Sequence, residues 1–442
     1  MDSVLLYILG VLVIVIGLAL SIALHEVGHL LPAKLFGVKV TQYMIGFGKT
    51  LFSVRRGETE YGLKAIPLGG YIAMIGMFPP ARQGGPMRNA STGFFNTMVQ
   101  DARDSSTATV SEGEESRAFY RLPTAKRIVI MLGGPAMNLL LAILFYAIVL
   151  MGFGVAQLTT TVGSVSECVL PATSTRQSCA DSDPRAPGAA AGILPGDTIV
   201  SIEGTPIEQW DQATALIRDS PGQPLDLVVE RDGATVPIIA TPLLTERYVI
   251  DDQGKVATDA KGNAETQKVG FLGIGPTSAL VPQPATAVLP MVGENIGAVA
   301  GIIVHLPQRL IDVANAAFGP GERDPNGPVS VVGVGRLAGE IASLEDVPVA
   351  SRVASLLGVI ASLNVALLVF NLVPLMPLDG GHVAGALWEG TRRTFARLFR
   401  RRDPGPVDTA KLMPLTFAVV IILGGMSALL IYADIVKPIS IL

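Results

Sequence analysis

The chain has 442 residues, of which 49% are hydrophobic and 16% are charged, and its formal net charge is −4 at pH 7. Soluble domains carry about 25% charged residues, so the composition excludes a wholly soluble protein and indicates a polytopic membrane protein with sizeable water-soluble parts. The near-neutral charge argues against a nucleic-acid partner.

The first element is an uncharged apolar run at residues 4–24, which is long enough to span a bilayer. We expect its helix to occupy residues 1–37 and to include the sequence His-Glu-Val-Gly-His that begins at His25. Histidines four residues apart share a helix face, so His25 and His29 are candidate ligands of one metal ion. Glu26 is the usual general base of such a zinc site. The pattern also occurs by chance, but ionisable residues beside a membrane span indicate function.

Three further apolar segments predict transmembrane helices at 128–155, 353–382 and 413–436. A shorter apolar stretch at 296–306 predicts only a membrane-proximal or packed helix. Lysine and arginine are concentrated between the first and second spans and between the third and fourth. This bias predicts a plasma-membrane protein whose two basic segments are cytosolic and whose termini are extracytoplasmic. The metal then lies near the cytosolic face.

The segment 38–78 alternates apolar and polar residues between glycines and predicts a small cytosolic, membrane-reentrant β-segment with a hairpin tip at Arg56-Gly57. Its edge offers pairing to an extended peptide, although a purely structural sheet is the alternative. Residues 79–127 predict a cytosolic loop, partly disordered because 79–115 are poor in apolar residues.

Residues 159–245 predict a compact extracytoplasmic module. A Leu-Pro-Gly-Asp turn ending at Asp197, an alternating strand, a helix and a hairpin at Glu-Arg-Asp-Gly resemble a PDZ domain, which binds peptides or C-termini by strand addition. Cys168 and Cys179 lie in an insertion near its start, and their closeness on an oxidising side favours a disulfide over two free thiols. Residues 246–350 predict an extracytoplasmic membrane-proximal segment without assigned chemistry.

The third span ends in Asn371-Leu-Val-Pro-Leu-Met-Pro-Leu-Asp379-Gly-Gly-His382. The two prolines cannot continue a regular helix, so the backbone opens near the same membrane edge as His25. A catalytic zinc site takes three protein ligands, and Asp379 is the candidate third ligand. Asn371 is a candidate contact for the peptide or a developing oxyanion, but asparagine in a membrane helix also joins helices, and Asp-Gly is a common turn. His382 is either a support for the ligands or interfacial. Residues 383–412 predict a basic cytosolic linker.

These motifs together resemble the site-2 protease family of intramembrane zinc metalloproteases, and most of all its actinobacterial branch. The resemblance rests on the histidine motif and on four further segments: Gly46-Phe47-Gly48, Pro67-Leu68-Gly69-Gly70, Gly133-Gly134-Pro135 with Asn138, and 371–381. It implies regulated intramembrane proteolysis. The substrate would be a single-span membrane protein such as an anti-sigma factor, first cut by a site-1-type protease. It further implies that Zn²⁺ is bound by His25, His29 and Asp379, with Glu26 catalytic. Substrate contacts would be Gly46, Phe47, Gly48, Gly69, Gly70 and Asn371.

The predicted fold is thus a polytopic α-helical membrane protein with four transmembrane helices, a reentrant β-segment and an extracytoplasmic PDZ domain. A non-catalytic PDZ-containing membrane receptor or chaperone is the alternative function, and it predicts loss of the glutamate or of a ligand. A metal transporter would instead place ligands at several depths. Here the candidate ligands cluster at one edge.

Overall fold

The computed structural model describes residues 2–79, 110, 113–172, 174, 176, 178–249, 256–258, 264–321, 323–324, 327–407 and 409–439. Most of the predicted cytosolic loop at 79–127, namely 80–109 and 111–112, lies outside the described residues. The chain forms two compact units, Met1–Phe153 with Gln283–Leu442, and Gly154–Pro282.

The helices are α1 Asp2–Leu35, α2 Thr124–Ala147, α3 Pro187–Ala190, α4 Trp210–Asp219, α5 Val288–Val304, α6 Leu306–Phe318, α7 Val331–Ser343, α8 Val349–Asn371, α9 Asp379–Leu398 and α10 Met413–Val436. The strands are β1 Val40–Arg56, β2 Thr59–Met74, β3 Val155–Val165, β4 Thr198–Ile202, β5 Thr205–Pro206, β6 Leu225–Arg231, β7 Ala234–Ala240, β8 Leu243–Tyr248, β9 Thr266–Phe271 and β10 Ile274–Val281. A π-helical turn, Ile148–Phe153, extends α2.

Five helical segments among the described residues are long and apolar enough to cross a membrane: Ser3–Leu35, Thr124–Phe153, Ala285–Val304, Val349–Asn371 and Thr409–Val436. Four of them overlap the predicted spans, although the spans predicted at 128–155 and 353–382 run past the helix ends at Phe153 and Asn371. The third segment, Ala285–Val304, is longer than the short helix predicted at 296–306. Its apolar run is interrupted by Glu294 and Asn295, so the sequence pattern registers only the part after them, whereas the helix itself begins at Val288.

α1 lies at the centre of the first unit, against α2, α7 and α8. It comes very close to α2 at Gly28 and Gly133, where a Cβ on either residue would come within about 2.2 Å of the other's carbonyl oxygen. Along α8, the Asn364 Nδ2 donates to Ser21 Oγ at 2.9 Å in the buried interior. These contacts fix the position of the HEVGH turn of α1 relative to α2 and α8.

β1 and β2 form a small twisted sheet next to α1, as the glycine-punctuated alternation predicts. Residues 42–45 of β1 pair both with 60–63 and with 70–73 of β2, so that two parts of β2 flank the start of β1. The last part of β2 is therefore an edge of this sheet. Tyr43 ties the sheet to α1, because its hydroxyl donates to the Ala23 carbonyl at 2.8 Å.

α8 ends at Asn371 and α9 begins at Asp379, so the helix breaks in the segment that carries the two prolines. The following residues differ from the predicted linker at 383–412, because a 20-residue helix, α9, occupies Asp379–Leu398. The apolar residues of α9 are interspersed with arginines, so the high density of basic residues hides its helical pattern in the sequence.

The second unit is built on a sheet with strand order β10-β3-β4-β6-β7, and β5 pairs with β4. Its core includes Ile199, Leu227 and Leu272. The unit extends to Pro282, beyond the predicted boundary at 245, because β10 pairs with β3 at the unit's start. The polar stretch between β8 and β9 concealed this continuity in the sequence. A disulfide joins Cys168 and Cys179.

Candidate metal centre

Helix α1 places the two histidines of the HEVGH motif side by side, one turn apart. Their Nε2 atoms are 3.2 Å from each other. Both histidines are buried, with exposed fractions of 8% for His25 and 4% for His29. The helical spacing therefore directs two metal-binding nitrogens at one point, as expected from the sequence.

Asp379 reaches the same point from the other end of the chain. Its Oδ2 atom is 3.3 Å from His25 Nε2 and 3.2 Å from His29 Nε2. The turn before α9 is tight here, since a Cβ at Gly380 would lie 2.4 Å from the Val373 carbonyl oxygen. The glycine after Asp379 thus allows α9 to start against the chain that precedes it, which brings the carboxylate to the histidines.

These three atoms fit a zinc ion. Zinc bonds of about 2.0–2.1 Å in a tetrahedral arrangement separate neighbouring ligand atoms by about 3.3 Å, close to the three distances observed. Asp379 Oδ2 is buried, and it accepts no hydrogen bond from another described residue. Three electron-pair donors this close together suit a cation between them, and His25, His29 and Asp379 are a set of this kind.

Contacts on the far side of each imidazole leave Nε2 available for a metal. His29 Nδ1 lies 2.8 Å from the Ile130 carbonyl oxygen, which only accepts, so Nδ1 carries the proton. His25 Nδ1 lies 3.0 Å from Nδ2 of Asn138, which is fully buried. A metal on His25 Nε2 leaves the imidazole proton on Nδ1, and exchanging the amide oxygen and nitrogen of Asn138 lets its otherwise unpaired Oδ1 accept that proton. Both contacts come from α2.

The wall of the site behind the histidines is a glycine of α2. A Cβ on Gly134 would lie 2.3 Å from His29 Nε2 and 2.6 Å from His25 Nε2. Any larger side chain would occupy the space of the metal-binding atoms. The Gly133-Gly134 pair therefore serves two purposes, helix contact through its first residue and room for the imidazoles through its second.

Glu26 lies beside the histidines and against the edge of the small sheet. A Cβ on Gly70 would be 3.0 Å from Glu26 Cγ, so the Glu26 side chain packs closely against the last part of β2. The last part of β2 is thus next to the predicted general base, and among the described residues no third strand covers that edge.

The other predicted substrate contacts lie in the same sheet. Gly46, Gly48 and Gly69 have positive φ angles of 89°, 83° and 132°, which favour glycine. Phe47 is 47% exposed and stacks on Tyr71, with ring centroids 6.4 Å apart. Gly69 makes room for this ring, because a Cβ there would be 2.2 Å from Phe47 Cε2.

The remaining sequence candidates lie outside the three-ligand cluster. Asn371 is the last residue of α8, and its side chain forms no hydrogen bond to another described residue. His382 lines a cavity of about 20 Å³, room for one water, together with Arg127 and Glu389. Sequence reasoning did not assign roles to Asn138, Gly134 or Ile130. In the sequence, Asn138 and Gly134 are marked only by belonging to one of the segments that resemble the site-2 protease family.

Comparison with known proteins agrees with this geometry. The model of peptidase family M50 matches residues 13–401. The chain is 32% identical to the zinc metalloprotease Rip1 of Mycobacterium tuberculosis over 99% of both chains. It is 31% identical to Rip1 of Mycolicibacterium smegmatis over 98% of both chains. With the metalloprotease MmpA of Caulobacter vibrioides, identity is 28% over 85% of each chain.

Proposed function

Because the chain belongs to peptidase family M50, the site-2 protease family, we propose that it cleaves a peptide bond within the transmembrane segment of single-span membrane proteins. The observation that carries this proposal is the meeting of His25, His29 and Asp379 beside Glu26, with both histidines and the glutamate on a helix long and apolar enough to cross a membrane. The resemblance drawn from the sequence is confirmed, and so are its coarser consequences: the protein is a zinc-dependent metalloprotease and a multi-pass membrane protein.

His25, His29 and Asp379 hold the zinc ion in this proposal, and Asn138 and the Ile130 carbonyl orient the two imidazoles. The bound ion supplies a Lewis acid that polarises the scissile carbonyl and acidifies water. Glu26 takes the proton of the attacking water and delivers it to the departing amine nitrogen. Its place between the ligands and the sheet edge suits both transfers.

The edge of β2 at residues 70–73 receives the unwound substrate as an added strand. A transmembrane helix protects its peptide bonds by internal hydrogen bonds, so cleavage requires local unwinding. Pairing with a strand edge replaces the lost hydrogen bonds. Gly69 and Gly70 keep the edge close to Glu26, and the exposed Phe47, held by the turns at Gly46 and Gly48, contacts the apolar substrate.

The membrane topology that we propose has four full crossings, by α1, α2, α8 and α10, and places the metal near the cytosolic face. Both termini and the second unit are then extracytoplasmic, as the distribution of lysine and arginine predicts. The fifth apolar helix, α5, forms a reentrant pair with α6 rather than a fifth crossing.

Contacts at both ends of the α5–α6 pair support its return to the side it started from. The Gln283 N–H before α5 donates to the Leu150 carbonyl at the end of α2. At the far end of α6, Phe318 stacks on Tyr432 near the end of α10, at 5.1 Å between centroids. α2 and α10 run in the same direction in the proposed topology, so both contacts are on the extracytoplasmic side.

The second unit acts as a PDZ domain in this proposal. A groove of about 240 Å³ lies between α4 and β9 and is lined by residues including Trp210, Ile217 and Phe271. Arg247 lies over the Phe271 ring, 3.6 Å from its centroid. A groove between a helix and a strand suits an extended peptide or a C-terminus. The substrates are pre-cleaved proteins such as anti-sigma factors, delivered by an upstream site-1-type protease.

The decisive experiment compares Glu26→Gln with Glu294→Gln, which makes the same change at an exposed carboxylate of α5. Both purified variants are incubated with a single-span peptide, and their zinc content is measured. We expect Glu26→Gln to keep zinc but to cleave about 10²–10⁴-fold more slowly, the usual contribution of a general base. Equal cleavage by the two variants contradicts the protease mechanism and favours the receptor or chaperone alternative.

The metal assignment is tested separately by His25→Ala/His29→Ala. This double variant is expected to lose zinc, and zinc content equal to that of the unchanged protein would refute the ligand set.

A further inference from the structure

Helix α9 presents an apolar face away from the protein. Its buried face includes Gly381, Ala386 and Glu389. On the adjoining face of the helix, Trp388 and Phe395 are 61% and 58% exposed. An exposed aromatic face on a helix requires an apolar neighbour to lower its free energy.

The chain turns back over this face directly after α9. Arg400 has a positive φ of 50°, and the Arg401 N–H donates to the Ala396 carbonyl at 2.7 Å. A cavity of about 460 Å³ results, with Trp388, Phe395 and Phe399 on the helix and Arg392, Arg401 and Arg402 among the residues that line it. The cavity therefore combines an aromatic wall with guanidinium groups.

The charges around this cavity are unequal. Glu389 pairs with Arg127 at 2.5 Å and with Arg393 at 3.1 Å, and Arg393 also contacts Asp403. These two acids and two arginines balance one another.

Within the described part of the chain, no ion pair engages the five other arginines of this region: Arg392, Arg397, Arg400, Arg401 and Arg402. An apolar cavity thus carries an uncompensated cationic rim.

We propose that this cavity, the arginine–aromatic cavity, binds an anionic phospholipid of the leaflet next to α9. The lipid phosphate pairs with Arg401, Arg402 and Arg392, because guanidinium groups bind phosphate oxygens in bidentate fashion. The start of an acyl chain lies along Trp388, Phe395 and Phe399. α9 connects two helices suited to the membrane, so the cavity lies at a bilayer surface. In the proposed topology this is the cytosolic surface.

Other occupants explain less of the cavity. A free phosphate ion would leave the aromatic wall exposed, and a neutral lipid would leave the three arginines that line the cavity uncompensated. An anionic lipid satisfies both the charge and the apolar surface. The site is separate from the metal centre, and its test does not depend on peptide cleavage.

Trp388 provides a local probe, since Trp210 is the only other tryptophan and is buried in the second unit. The full chain carrying Trp210→Phe is placed in phosphatidylcholine nanodiscs with a small fraction of brominated lipid, which quenches nearby tryptophan. We expect brominated phosphatidylglycerol to quench Trp388 much more strongly than brominated phosphatidylcholine at the same fraction. Equal quenching by the two lipids overturns the proposal.

Two double variants then locate the binding. Arg401→Gln/Arg402→Gln should lower the preference for phosphatidylglycerol by about 25-fold, from roughly fivefold for each arginine near an anionic surface. The control Arg121→Gln/Lys126→Gln removes two exposed charges from the first unit and should leave the preference unchanged. An equal loss in the control would show a general charge effect and contradict the site.

Two competitors added to the unchanged nanodiscs distinguish other ligands. Neither inorganic phosphate nor a soluble acidic peptide should relieve the quenching at millimolar concentration. Relief by phosphate would assign the cavity to a free anion, and relief by the peptide would assign it to a protein partner. Either result overturns the lipid assignment.

Discussion

Gly134 gives the most direct test of the metal centre, because its missing side chain is what leaves room for the two imidazoles. In Gly134→Ala, the new Cβ would lie 2.3 Å from His29 Nε2 and 2.6 Å from His25 Nε2. Ordinary contact between such atoms needs about 3.4 Å or more, so the imidazoles must move by about 1 Å. Both rings are buried and tied by contacts at Nδ1, so they have little freedom to turn aside.

A displacement of this size is large for a zinc site. Ligand distances in such sites are kept within about 0.2 Å. Substitutions of residues that only support the ligands typically reduce metal affinity by about 10–100-fold. Because Gly134→Ala moves two ligand atoms directly, we expect zinc affinity to fall by more than about 100-fold.

The same substitution has the opposite effect on the helix. Alanine is favoured over glycine inside a helix by about 0.8–1.0 kcal/mol, so α2 itself should not be weakened by the change in propensity. Gly425→Ala in α10 is the matched control, since its Cβ would meet nothing within 4 Å. The two variants share the propensity gain and differ in the contact with the imidazoles.

Both variants are purified, their helix content is compared by circular dichroism, and zinc is titrated in a chelator-buffered solution. Cleavage of a single-span peptide is measured in parallel. We expect Gly134→Ala to remain helical while losing zinc and cleavage, and Gly425→Ala to keep both. If Gly134→Ala binds zinc as tightly as the control, the proposed position of the metal is wrong.

Three further outcomes are expected. Asn138→Leu should weaken zinc binding by about 10–100-fold, measured by the same titration, whereas Asn138→Asp, which still accepts the His25 proton, should lose less. A zinc chelator should abolish peptide cleavage, and added Zn²⁺ should restore it; cleavage that persists at full zinc removal would contradict the mechanism. The hydrogen bonds from Arg231 hold the pKa of the buried Asp197 below its usual range. This interaction stabilises the folded second unit fully at pH values above the pKa of Asp197 in the unfolded chain, about 4. The stabilisation is lost as the pH falls through the lower pKa that Asp197 has in the folded protein. Asp197→Asn should therefore unfold the second unit more readily at pH 7, as followed by limited proteolysis of the full chain, with the gap to the unchanged protein closing below about pH 4.

Several features of the fold follow from local sequence alone. The four predicted spans are visible because about 20 consecutive apolar residues satisfy a bilayer wherever they pack. The helix break before Asp379 follows from prolines that lack the N–H a helix needs. The β1–β2 sheet follows from alternation and glycine turns within one short segment. Each of these signals is contained within a window that local physics controls.

Other features depend on partners that are distant in the chain. The limit of the second unit is decided by the pairing of β10 with β3, more than 100 residues apart. α5 reads as too short because Glu294 and Asn295 interrupt its apolar run, although its helix is long enough to enter the membrane. The sequence predicts a linker where α9 lies, because the many arginines of this segment obscure the helical spacing of its apolar residues.

The candidate site divides in the same way. The sequence by itself determined that His25 and His29 face one point with Glu26 between them, because helical periodicity is a local property. The sequence also predicted that Asp379 comes to the same membrane edge, since spans of fixed length set depth. Only the tertiary structure decided that the three ligand atoms meet within about 3.3 Å of one another. The same holds for the roles of Asn138 and Gly134 at His25 and His29. Those distances depend on how closely α1 and α2 approach, which is set by the packing of Gly28 on Gly133, two residues that no local pattern relates.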